Sequence, residues 1–111
     1  MWIARGETKM KVYICSPLRG DYEHNIQMAI KHCHAVALYG EIPVAPHIYC
    51  TQFLDDKIED ERKLGMDIGL KLLEMCDCML VYGEHISDGM RREIDRAREL
   101  EIPVRYVREE V

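Results

Sequence analysis

The stretch Met10-Lys11-Val12-Tyr13-Ile14-Cys15-Ser16-Pro17-Leu18-Arg19-Gly20-Asp21 passes from strand chemistry to turn chemistry within a few residues. Residues 10–15 are apolar, β-branched and aromatic, and Ser16-Pro17 bounds them, the pattern of a short buried strand. Residues 16–21 carry the Pro and Gly punctuation of a loop. A helix is predicted from about Tyr22 to Tyr39, where Ile26, Ala29, Ile30, Cys33, Val36 and Ala37 recur at helical spacing and Gly40 stands just past the end.

The same alternation continues outward. Ile42-Pro43-Val44-Ala45-Pro46 reads as a short strand whose prolines suit an edge position. Residues 47–57 read as a connecting loop. A helix follows from about Glu59 to Met75, with Leu64, Ile68, Leu72 and Met75 as its apolar stripe. Cys78-Met79-Leu80-Val81-Tyr82 is the most hydrophobic strand and is expected at the centre of the sheet. Gly83 to Ile86 is a loop, a third helix runs from near Ser87 to near Leu100, and Ile102–Val107 makes the last strand. The order β-α-β-α-β-α-β implies a three-layer α/β/α fold of flavodoxin or Rossmann type, with a parallel sheet of four or five strands. In such sheets ligands bind beyond the carboxyl ends of the strands, which selects the loops 16–21, 46–57 and 83–89.

Bulk properties bound the rest. The 111 residues suffice for one core, assigned here to a domain at 10–111 behind a tail at 1–9. A net charge of -5 argues against nucleic acid and anionic membranes as partners. No apolar run reaches the ~18 residues of a membrane span. The odd count of five cysteines, with no leader ahead of them, suggests reduced thiols in the cytoplasm. Their spacing lacks the Cys-x2-Cys pairs of a zinc site, so no metal is expected.

Six places can carry chemistry. Ser16, Pro17, Leu18, Arg19 and Gly20 form either an ordinary turn or an anion cradle, because a helix N-terminus follows and Arg19 offers a planar charged fork. Ser87-Asp88-Gly89 can cap the third helix, and Gly89 lets a ligand approach the backbone. Glu93 stands between Met90 and Ala97 of the apolar stripe, so it is either a partly buried carboxylate with a raised pKa or a surface glutamate paired with Arg96. Asp67 borders the Leu64–Ile68 stripe beside Gly65 and Gly69, two costly helix glycines that suggest close packing. Tyr13 and His47 are each either satisfied structural residues or ligand contacts.

Taken together these residues resemble the nucleoside 2-deoxyribosyltransferase superfamily, from about Lys11 to Tyr106. Val12-Tyr13-Ile14-Cys15-Ser16-Pro17-Leu18-Arg19-Gly20 is similar to the opening of its 2'-deoxynucleoside 5'-phosphate N-hydrolase branch. The Asp67 segment leading to Cys76-Asp77 resembles the helix that carries an essential aspartate, and Gly89-x3-Glu93-Ile94 resembles the element bearing the catalytic glutamate. Ala45-Pro46-His47 and Gln52-Phe53-Leu54-Asp55-Asp56 are similar to stretches of short DUF4406-type proteins. The resemblance implies cleavage or transfer at the N-glycosidic bond of a nucleoside or nucleoside 5'-monophosphate, with no cofactor. Glu93 would be the nucleophile at C1', Asp67 would orient the sugar or protonate the base, and Tyr13 would position Glu93 or the sugar. Ser16–Gly20 with Arg19, together with His47, Ser87, Asp88 and Gly89, would hold the substrate and its 5'-phosphate. It also implies a homodimer or higher oligomer. Arg91 and Arg92 depart from the small or aromatic residues usual before the glutamate, and they favour an alternative, a nucleotide-binding or sensing module without catalysis. A flavin-binding electron carrier is a third reading, on fold analogy alone.

Overall fold

The structure is a computed structural model and describes residues 9–108. Most of the tail at 1–9 therefore lies outside the described residues. Eight elements follow one another: β1 (Lys11–Cys15), α1 (Tyr22–Leu38), β2 (Ile42–Val44), α2 (Pro46–Cys50), α3 (Glu59–Leu73), β3 (Cys78–Tyr82), α4 (Asp88–Glu99) and β4 (Val104–Val107). The four strands form one parallel sheet in the order β2-β1-β3-β4. β2, with its proline, lies at an edge, and β3 is central, both as expected. Val12 pairs with Cys78 and Val104 with Met79, which fixes the register of the inner strands. β4 starts at Val104 rather than Ile102, for Pro103 has no N–H to give the ladder and supplies only its carbonyl, to Met79 N at 2.9 Å.

Strand alternation divides the core. Val12 and Ile14 pack with Val36, Ala45 and Tyr82 on the α1 face. Tyr13 and Cys15 point to the other face, against Leu73 of α3 and Met90, Ile94 and Ala97 of α4. This makes the three-layer α/β/α fold. Ile94 is fully buried, worth about 1.5–3 kcal/mol of transfer free energy. α1 starts where Asp21 accepts a hydrogen bond from His24 N at 3.4 Å, and it ends before Gly40, whose φ of +92° suits a residue without Cβ. Among the described residues no helix is long and apolar enough to cross a membrane.

Three expectations need correction. Residues 46–50 form α2 rather than loop, started by Pro46 in the first turn. On α1, Ile30 and Ala37 are exposed, and only Ala29 and Val36 are buried, because α1 lays a narrow line of contact on the sheet. The stripe of α3 has a different phase. Leu64 is 53% exposed and Met75, past the end of the helix at Leu73, is 62% exposed, whereas Gly69 and Leu73 are the buried positions. The buried face of α3 is built partly from glycine, which carries no hydrophobic signal.

Candidate active site

β1 turns Tyr13 toward α4, and its hydroxyl donates to Glu93 Oε2 at 2.7 Å. Glu93 reaches this point because Met90, Ile94 and Ala97 clamp α4 to the sheet and hold the glutamate at the edge of the buried stripe. Space for the pair comes from Gly69 of α3. A Cβ there would lie 3.0 Å from the Tyr13 hydroxyl and 3.7 Å from Glu93 Oε2. Gly69 therefore meets the close packing expected of the α3 glycines, while Gly65 would meet only Leu54 at an ordinary 3.6 Å.

Burial pushes the Glu93 carboxyl up from 4.5 to about 7, although the hydrogen bond from Tyr13, with a smaller contribution from the neighbouring Cys15 thiol, favours its charged form and draws it back. Tyr13 is itself held well above its usual range by burial and by the neighbouring carboxylate. The Cys15 thiol is raised for the same reasons and is inert at neutral pH. Arg96, the alternative partner for Glu93, instead binds Glu74 at 3.1 Å and Glu99 at 3.0 Å.

Glu93 and Tyr13 line a cavity of about 500 Å³ beyond the carboxyl end of β1. Ser16, Leu18, Arg19, His47, Ser87, Asp88 and Gly89 line it too. Ser16 Oγ and His47 Nε2 share a hydrogen bond at 3.0 Å. Burial lowers His47 to about 4, with His32 adding to the effect, so the ring is neutral at physiological pH. Ser87 caps α4 by accepting from Met90 N at 3.2 Å, and nothing lies within 4 Å of a Cβ built on Gly89. A ligand can approach that backbone.

Other site residues fall elsewhere. Asp67 is exposed and outside the cavity lining, since the corrected phase of α3 turns it away from the sheet. Pro17 packs toward Gly83, and Gly20 borders an adjoining depression; neither lines the Glu93 cavity. Arg19 is bound to Asp56 at 3.2 Å. Sequence reading missed Glu61, Arg62 and Met66, all in the lining. Met66 and Arg62 stand one turn apart on α3, a spacing that could have drawn notice had the stripe been phased on Gly65 and Gly69.

A family model described as a domain of unknown function, DUF7768, matches residues 10–107. The chain belongs to the DUF7768 family. That model differs from the DUF4406-type group whose stretches the sequence resembles. No curated protein matches the DUF7768 chain. A solved structure described as a 2-deoxyribosyltransferase from the psychrotolerant bacterium Bacillus psychrosaccharolyticus is similar to it, with a TM-score of 0.70. Identity is 17%, over 91% of this chain and 76% of that one. At that identity the likeness is one of fold, and it agrees with the parallel α/β architecture of the DUF7768 domain.

Proposed function

We propose that this protein cleaves or transfers at the N-glycosidic bond of a nucleoside or nucleoside 5'-monophosphate, with Glu93 as the nucleophile. The observation that carries the reading is the Tyr13–Glu93 pair at 2.7 Å, set in the wall of the ligand-sized cavity. The fold likeness to a 2-deoxyribosyltransferase supports it. Tyr13 takes up Oε2 and positions the carboxylate. Attack by Glu93 on C1' forms a glycosyl ester while the C1'–N bond breaks, and the base leaves with that electron pair and takes up a proton. Water as acceptor completes hydrolysis; a second base as acceptor completes transfer. Exposed Asp67 has no part in this scheme, and His47 and Ser16 serve as neutral hydrogen-bonding groups toward the ligand. We also propose a cytoplasmic location and a homo-oligomer, the latter supported by exposed apolar side chains such as Leu38, Tyr39 and Phe53.

The test is incubation with the four 2'-deoxynucleoside 5'-monophosphates and their nucleosides, with free base followed by chromatography. Base release is expected from the wild type, rising with pH through about 7 as Glu93 ionises. Glu93→Ala should abolish it. Release by Glu93→Ala at the wild-type rate would remove Glu93 as nucleophile. Thermal stabilisation by a nucleotide with no turnover would favour the sensing module instead, a reading that the cationic lining residues Arg62 and Arg92 support.

A further inference from the structure

The adjacent arginines Arg91 and Arg92 part company on α4. Both are exposed, but Arg91 pairs with Asp95 at 4.0 Å. Arg92, about 100° further around the helix, lines the Glu93 cavity and donates from Nη1 to Met66 Sδ at 3.3 Å. Arg62, in the first turns of α3, lines the same cavity and donates from its own Nη1 to the same sulfur at 3.6 Å. The two Nη1 atoms can be no farther apart than the sum of those distances.

This arrangement leaves charge unanswered. A thioether is a weak, neutral acceptor. Among the described residues neither Arg62 nor Arg92 has a carboxylate within 4.0 Å, whereas Arg19 and Arg91 each have one and Arg96 has two. Each guanidinium offers five N–H donors, and the structure engages one on each. Two forks that converge from two helices suit a tetrahedral anion with three free oxygens. A carboxylate would be satisfied by one fork alone.

We propose that Arg62 and Arg92, gathered over Met66, are a clamp for the phosphate of a phosphorylated ligand in the Glu93 cavity, and that Arg19 is not the phosphate anchor. Arg19 is already neutralised by Asp56. The proposal deepens the function proposed above by selecting nucleotides over nucleosides, and rests on that reading only for the nucleoside part of the ligand.

Calorimetry with inorganic phosphate, 2'-deoxyadenosine 5'-monophosphate and 2'-deoxyadenosine tests it, using wild type, Arg62→Gln, Arg92→Gln, the double variant and Arg19→Gln. Each single clamp variant should weaken phosphate and monophosphate about tenfold, the double about a hundredfold, from loss of charge-assisted hydrogen bonds. Free deoxyadenosine should change less than about twofold, since it makes none of those bonds. Arg19→Gln should bind phosphate nearly as the wild type does. Lys at both clamp positions keeps charge without the fork and should restore part of the affinity, a control against damage to the fold. The clamp is overturned if the wild type binds nucleoside and monophosphate equally, if the double variant keeps phosphate, or if Arg19→Gln loses as much as the double. Phosphate binding lost in the double variant, with no base release by the wild type, would uphold the clamp and sink the glycosidic chemistry. Base release as fast from nucleoside as from monophosphate would do the reverse.

Discussion

Replacing Glu93 by Gln removes a charge and little else, since Gln has the same shape and its carbonyl can still accept from Tyr13. The consequence for stability follows from linkage. Glu93 titrates near 7 when folded and near 4.5 otherwise, so between these values the folded protein binds the extra proton. A folded-state pKa raised in this way contributes stability below about 4.5 that is lost as pH rises through 7. The shift corresponds to a loss of about 2.5 kcal/mol between pH 5 and pH 8.5. Urea unfolding of wild type and Glu93→Gln at those two pH values measures it. His47 works in the opposite sense, losing stability as pH falls from 6.5 toward 4, but it does so equally in both proteins and cancels in the comparison. The wild type should therefore fall relative to Glu93→Gln by about 2.5 kcal/mol on going to pH 8.5. Equal pH dependence in the two would refute the partly buried, desolvated carboxylate on which the site is built.

Three further outcomes are expected. Tyr13→Phe deletes a hydrogen bond to the charged form of Glu93, so the midpoint of its titration, followed by carboxyl carbon NMR, should rise by about one to two units; an unchanged or lower midpoint would contradict the pairing. Gly69→Ala puts a Cβ 3.0 Å from the Tyr13 hydroxyl and should cost about 1–3 kcal/mol in urea unfolding, whereas Gly65→Ala, in open contact, should gain up to about 1 kcal/mol from helix propensity. Ser87→Ala removes the cap on Met90 N and should cost about 1 kcal/mol, a fall of roughly 4–8 °C in Tm.

The alternation of strands and helices was legible because each long element carries its own period. α2 was not, because five residues are too few to show one. The phase of α3 misled because its buried line runs through Gly69, while Leu64 is left in solvent; the displacement of Asp67 from the cavity has the same origin. Glu93 was legible as a carboxylate at the edge of a stripe. Its union with Tyr13, 80 residues away, was not, since only the folded sheet brings them together. The Arg19–Asp56 pair and the approach of Arg92 to the Met66 sulfur are likewise products of tertiary structure, although Arg62 and Met66 themselves stand one helical turn apart.

The strand order β2-β1-β3-β4 has a consequence in time. β1 is made early but sits inside the sheet, and its inner neighbour β3 pairs Val12 with Cys78 far downstream. During synthesis β1 waits for that partner, the N–H and C=O groups of its inner edge unpaired while the intervening helices emerge. Closing so long a loop makes sheet assembly slow relative to helix formation. Glu93 arrives later still. A partly made chain thus holds Tyr13 without its carboxylate, and the reactive centre comes into being only as the last helix docks, with β4 alone still to join the sheet.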